Sequence, residues 1–320
     1  MAANSQNGDY AIALPSEDLA TRVKDHQVRP ETLKSLPTFY RNIEEALNIR
    51  RASQNFYSIV TSTIRTSGAI DFCSGDVLSL GSSGAQRVEF LAELARHPDF
   101  TVGSAGARLM DGNYSYFEQT ERQIASFHGA EAGLILGSGY EANGAIWMAI
   151  PRPGDVILYD EMVHASTHEG MSKSLAIRQI PFAHNDVDAF REALLEALES
   201  QPLIKQGKRS VIVAVEAMYS MDGDLCPLQE LLDAAKEIFI DGQSVQFVVD
   251  EAHSVGAIGP NGAGLVCELG LQKEIAVVMH SFGKAMGATG GKGLSYLKIP
   301  IVVELKRTEA YYSISSCGTR

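Results

Sequence analysis

One lysine stands inside "VMHSFGKAMGATGG", where an apolar run gives way to small residues around Lys284. A lysine held at the mouth of a buried strand, shielded from water, can serve as a nucleophile toward a carbonyl. Upstream, "VVDEAH" sets Asp250 and His253 three positions apart at the end of another apolar run. "EMVHAS" carries His164, "MYSMDGD" carries Ser220, and "GSGYEANG" carries Ser138, Gly139 and Tyr140. A glycine-rich turn entering a helix is an anion site, because free N–H groups and the positive end of the helix dipole face the ligand. The turn is neither G-x-x-x-x-G-K-[ST] nor G-x-G-x-x-G, so it does not support a nucleotide P-loop or a dinucleotide fingerprint.

These groups match the chemical features of pyridoxal phosphate. Lys284 can capture its aldehyde, and a carboxylate such as Asp250 favours a protonated pyridine nitrogen. His253 can reach the ring oxygen, and an imidazole such as His164 can stack on the flat ring. Taken singly, each residue has a plainer reading: a solvated lysine, a helix-capping aspartate, a hydrogen-bonded histidine, a turn serine. Their order along the chain is what sets them apart. It runs anion turn, His, Ser, Asp-x-x-His, then Ser-x-x-Lys.

The elements that must position them begin near residue 130. There "AGLILGS", "DVILYD", "LAIRQI", "SVIVAVEAMYS", "QFVVDEAH" and "IAVVMHS" read as short apolar strands. "DVDAFREALLEALES" and "PLQELLDAAKEIF" read as amphipathic helices between them. Continuous apolar strands with helical crossovers predict an α/β fold, a mostly parallel central sheet with helices on both faces. Open sheets of this kind bind ligands outside the carboxyl ends of their strands, where every residue named above falls. Before this region, residues 15–57 read mainly as helix, and a second helix is expected from about Tyr116 to Phe127.

Bulk properties narrow the function classes. The 320 residues are 45% hydrophobic, enough for a large core and more than one lobe. A net charge of −12 argues against nonspecific nucleic-acid binding and against anionic membranes. The four cysteines form no C-x-x-C pair, do not cluster with histidines at zinc spacing, and read as reduced thiols. No metal site is expected. No apolar run is long enough to span a bilayer, and the polar N-terminus does not read as a secretory signal. A cytoplasmic location is expected, with an organelle such as the peroxisome or mitochondrion left open.

In combination these motifs resemble the α-oxoamine synthases, pyridoxal-phosphate enzymes of fold type I that include 8-amino-7-oxononanoate synthase. The likeness runs from about residue 70 to about 291. "SGYEANGA" resembles the family's S-G-[FY]-x-A-N, which puts Ser138, Gly139 and Tyr140 at the cofactor. "DEMVHAST" resembles D-x-x-x-H-A-S and implies that His164 stacks on the pyridine ring. "YSMDGDLCPL" resembles [FY]-S-M-D-G-D-x-x-P-L and sets Ser220 near the cofactor's hydroxyl. "VVDEAHSVG" implies pairing of Asp250 with the pyridine nitrogen and of His253 with the ring hydroxyl. "HSFGKAMGATGG" resembles T-[FL]-G-K-A-x-G-x-x-G-G, so Lys284 is the implied Schiff-base lysine and Ser281 takes the place of a phosphate-binding threonine. The implied catalytic residues are Lys284, His164 and Asp250. The implied reaction is a decarboxylative condensation of an amino acid with an acyl-CoA or carrier-bound thioester, giving an α-amino ketone in a homodimer.

Departures from the pattern are equally specific. Gly75 and Val77 in "FCSGDVLSL" replace an asparagine and a tyrosine, and Phe117 stands where a histidine is usual. The likeness ends at Gly291, and "KGLSYLKIP" departs from the strand that usually follows. Family members continue into a small domain that supplies an arginine for the substrate carboxylate, and this chain stops short of it. Ser315 in "YYSISS" is a weak counterpart of a phosphate-contacting threonine. The expected division is an N-terminal arm and helices over 1–85, a cofactor-binding large domain over 86–297, and an atypical remnant over 298–320. The biotin-pathway condensation of alanine with a dicarboxylic acyl-CoA is the generic substrate reading, followed by secondary-metabolite chain release. Serine palmitoyltransferase ranks lower for want of a membrane segment. An inactive protein acting through dimerisation and a plain aminotransferase are the alternatives from other classes.

Overall fold

The computed structural model describes residues 24, 26–28, 36–57, 70–101, 103–239 and 244–295. The chain divides into two units, Met1–Asp71 and Phe72–Arg320. In the first, helix α1 spans Thr38–Ala52, inside the stretch expected to be helical. Its Arg51 is buried, and the guanidinium donates to Glu44 Oε1 at 2.6 Å and Asn48 Oδ1 at 2.9 Å. A charge removed from water needs such partners, and these two stand on its own helix.

The second unit holds α2 (Ala85–Arg96), α3 (Ser115–Phe127), β1 (Ala132–Leu136) and α4 (Gly139–Ala149). Next come β2 (Val156–Asp160), α5 (Ala165–Ser172), β3 (Arg178–Phe182), α6 (Val187–Ser200) and a short α7 (Pro202–Lys205). They are followed by β4 (Val211–Glu216), α8 (Leu228–Ile238), β5 (Val245–Asp250), a short α9 (Leu265–Glu268), β6 (Val277–Ser281) and β7 (Gly291–Ser295). The seven strands form one sheet in the order β1-β7-β6-β5-β4-β2-β3. Only β7 runs against its neighbours, so the other six strands point their carboxyl ends the same way.

All six side chains of β4 are buried, which requires cover on both faces of the sheet. Helix α8 supplies part of it with Leu228, Leu231, Leu232 and Ala235, a helical stripe at i, i+3, i+4 and i+7. Helix α6 buries Phe190 and Leu194 and starts at Asp186, whose carboxylate caps the N–H groups of Asp188 and Ala189. Helix α4 buries Trp147 against the same core. No helix of the described residues is long and apolar enough to cross a membrane.

Two local expectations need correction. The apolar run "LAIRQI" suggests a strand over Leu175–Ile180, yet β3 occupies Arg178–Phe182, and Leu175 and Ile177 are exposed. As the edge strand, β3 buries only alternate residues, and the edge tolerates Pro181, which has no N–H to give to a ladder. The stretch after Gly291 does form a strand, inserted antiparallel between β1 and β6. Close approach explains Gly291, where a Cβ would stand 2.4 Å from the Gly139 nitrogen. Ser315 and the remnant over 298–320 lie outside the described residues.

Candidate active site

The strand ends bring the chemistry together. β6 delivers Ser281, and the loop to β7 then closes on itself through Phe282 N–H to Gly290 O (3.0 Å) and Ala288 N–H to Phe282 O (2.8 Å). Lys284 sits in that loop, and its Nζ donates to His253 Nε2 at 2.6 Å. Burial holds the Lys284 amine below the usual lysine range, against the opposite pull of Asp250 and Glu216. His253 is pushed down to about 4 by burial first, then by the charges of Lys284 and His164. A neutral imidazole therefore accepts from the lysine, as the contact requires.

Asp250 ends β5 and is buried. Its Oδ1 accepts from Ala252 N–H and its Oδ2 from Asn143 Nδ2, both at 2.8 Å. Asn143 gives its second N–H to Ser166 Oγ at 3.0 Å, and Ser166 Oγ lies 2.7 Å from His164 Nδ1. The Ser166 backbone N–H also points at Nδ1, at 3.2 Å, so this ring nitrogen is the acceptor. The network assigns the His164 proton to Nε2 and ties the ring to Asp250 through two side chains. Tyr140 completes this flank: its hydroxyl donates to Glu169, and its ring meets His164 edge-on at 6.0 Å.

Ser138 caps α4 by accepting from Glu141 N–H at 3.1 Å. Gly139 starts the helix, and a Cβ there would come within 3.2 Å of Ser281 Oγ. A side chain at 139 would fill the notch between the helix N-terminus and that hydroxyl. Ser220 is less tightly drawn in. It is exposed on the turn after β4, and none of the described hydrogen bonds joins it to Asp250, His253 or Lys284.

Several participants were missed in the sequence. Asn143 and Ser166 stand inside quoted motifs, and only their side-chain bonds reveal the link from Asp250 to His164. Glu216 ends β4 in register with Asp250, is buried, and is pushed up to about 8, first by burial and then by Asp250. Its Oε1 has no hydrogen-bond partner. Among the departures, Gly75 packs on the lysine itself: a Cβ there would stand 3.2 Å from Lys284 Cα, Cβ and Cγ. Phe117 lies under the Arg108 guanidinium at 4.9 Å, which in turn binds Glu121 and Asn113.

A family model, aminotransferase class I and II, matches residues 67–320. The chain belongs to that family. Pyridoxal phosphate is the cofactor of this fold family. Aminoacyl transferase sphA of Byssochlamys spectabilis is 52% identical over 282 residues, which are 87% of this chain and 60% of that protein. The 8-amino-7-oxononanoate synthase of Emericella nidulans is 44% identical over 229 residues, 71% of this chain and 55% of that protein. A serine palmitoyltransferase of S. paucimobilis, solved with a PLP–myriocin aldimine, superposes with a TM-score of 0.56 at 28% identity. That match covers 72% of this chain and 51% of the other. The chain thus spans little more than half the length of the proteins it matches.

The residues present fit the family's cofactor. Buried Asp250 has only neutral donors, Asn143 and Ala252, and burial lifts its carboxyl; a pyridinium is the cation such a carboxylate would pair with. The notch kept open by Gly139 beside Ser281 suits a phosphate at a helix N-terminus. A half-buried lysine with a depressed amine suits an aldehyde.

Proposed function

We propose that this chain is the cofactor-binding part of a pyridoxal-phosphate enzyme that condenses an amino acid with an acyl thioester. The products are an α-amino ketone, carbon dioxide and a thiol, with one proton consumed. When bound, the cofactor supplies an aldehyde for amine capture and a ring that takes up an electron pair. The observation that carries this reading is Lys284: a half-buried amine on His253, at the same strand edge as buried Asp250.

Each side chain then has a task. Lys284 would hold the cofactor and supply the base for the amino acid's α-proton. Asp250 would keep the ring nitrogen charged, and Asn143 fixes the carboxylate's orientation. His164, held through Ser166, would pack on the ring. His253, lowered by burial, would serve the ring oxygen. Ser281 and the start of α4 would hold the phosphate, and Ser220 would act from the turn after β4. Gly75 borders the amino acid, because it is the backbone that touches Lys284. The names of the relatives support condensation over plain transamination.

A second copy of this chain is the proposed partner. Helix α2 buries none of its residues and exposes Val88 and Leu91, one turn apart, together with Phe90, apolar side chains of the kind a homodimer covers. A cytoplasmic location is part of this proposal, with an organelle such as the peroxisome or mitochondrion left open, and alanine with a dicarboxylic acyl-CoA remains the generic substrate pair.

The test is turnover. The purified protein, supplied with pyridoxal phosphate, is offered a panel of amino acids and acyl-CoAs, and free thiol and carbon dioxide are followed. Matched release of both supports the reading. Amino-group transfer to a keto acid without carbon dioxide would replace it with an aminotransferase, and cofactor binding without any turnover would favour an inactive protein acting through its dimer.

A further inference from the structure

Away from Lys284, the same sheet edge carries a second cluster. His184 follows β3 and lies between two aspartates from other loops. Its Nδ1 is 2.9 Å from Asp160 Oδ1 at the end of β2, and its Nε2 is 2.9 Å from Asp224 Oδ2 in the turn after β4. The next residue doubles both links. Asn185 donates its backbone N–H to Asp160 Oδ2 at 2.8 Å and its amide to Asp224 Oδ2 at 2.7 Å. It does so from φ +53°, a left-handed backbone held in place by these bonds.

A neutral imidazole has one N–H and one lone pair. Ionised carboxylates only accept. Asp160 is 1% exposed and accepts from Met162 N–H and Asn185 N–H besides its contact with His184. Both His184 contacts are hydrogen bonds at once only when both ring nitrogens carry protons.

We propose that His184 is a standing imidazolium that clamps the loop after β2 to the turn after β4, and thereby positions His164 and Ser220. Asp160 lies four residues before His164, and Asp224 four residues after Ser220. Asn185 bridges the same two aspartates beside it. This inference rests on the functional reading for its consequence, cofactor affinity, but not for the charge of His184.

The surroundings of the ring are acidic or neutral. Besides Asp160 and Asp224, the Glu161 carboxylate accepts from the His184 backbone N–H at 3.3 Å. The Tyr219 ring stands edge-on at 4.5 Å, and burial pushes up both its hydroxyl and the nearby Cys226 thiol, so both stay neutral. The two aspartates raise His184 above the ordinary histidine value, outweighing the burial that lowers it. A raised histidine contributes stability that is full below its unfolded value and is lost as pH climbs through the folded one.

The experiment has two arms. In the first, the imidazole resonances of the protein are titrated by NMR, with His184 assigned by its loss in His184→Gln. The expected result is a midpoint above that of ordinary histidines, brought down by Asp224→Asn. A midpoint at or below the ordinary value overturns the proposal, whatever the protein's function. In the second, pyridoxal phosphate affinity is measured from pH 6 to 9. His184→Gln should weaken it by about tenfold at neutral pH, the size of a lost charge-assisted hydrogen bond. The parent should lose affinity as His184 deprotonates, and His184→Gln should lack that phase. Matching profiles in parent and variant overturn the positioning role. No binding by the parent, with the first arm intact, rejects the functional reading instead.

Discussion

Lys284 and His184 leave the same edge of one sheet, yet their surroundings push them in opposite directions. Lys284 touches a neutral imidazole and sits in a half-buried loop that lowers its amine. His184 touches two carboxylates, which raise it. One cation is made less comfortable and the other more so. The first arrangement suits a group that must lose its proton and form a bond; the second suits a group that must stay where it is. Burial lowers both groups, and only at His184 do two carboxylates at hydrogen-bond distance outweigh it.

Replacing Lys284 tests the reactive half with the largest effect. Lys284→Ala should abolish the visible absorbance that pyridoxal phosphate gives with the parent protein, while folding is retained in far-UV circular dichroism. Asp250→Asn comes next. It keeps the shape and removes the charge, and activity should fall by about a hundredfold or more, because a buried, charge-assisted partner is lost. Weaker cofactor binding with an unchanged melting temperature would assign the charge of Asp250 to the ring and not to the fold.

Glu216 sharpens the contrast from the acid side. Its carboxyl is raised to about 8, so in the folded protein it holds a proton that the unfolded chain releases near 4.5. The sign follows: stability from this group falls as pH rises between those two values and is flat beyond. His253 works the other way, losing stability as pH falls from 6.5 toward about 4. Glu216→Gln should remove the slope between those two values, and denaturant midpoints should place it about 1–3 kcal/mol above the parent at pH 9 relative to pH 5. A parallel pH profile would mean that Glu216 is already ionised. Tyr140→Phe is the smallest change. Its bond to Glu169 is exposed to solvent, so stability should hold within error while cofactor affinity drops only a few-fold.

The reactive half was legible in the sequence, and the holding half was not. Lys284, Asp250 and His253 follow apolar runs, and a parallel sheet turns that position into a shared edge. Asp160 and Asp224 stand in quoted motifs and His184 in none, and nothing local links the three. Their contact exists only because β2, β3 and β4 are neighbours in the sheet, an order that periodicity does not give. Glu216 was hidden for the same reason, since its partner across the ladder is Asp250. Asn143 stood in a quoted motif but acts through a bond to a residue 107 positions away. β7 was missed although Gly291 packs close against Gly139, a contact that periodicity does not show.

The central claim is that Lys284 is the covalent anchor. It is tested most directly by incubating the purified protein with pyridoxal phosphate, reducing with borohydride and mapping the modified peptide. The account predicts a single cofactor adduct on the peptide that contains Lys284. No adduct, or adducts spread over other lysines, would contradict it.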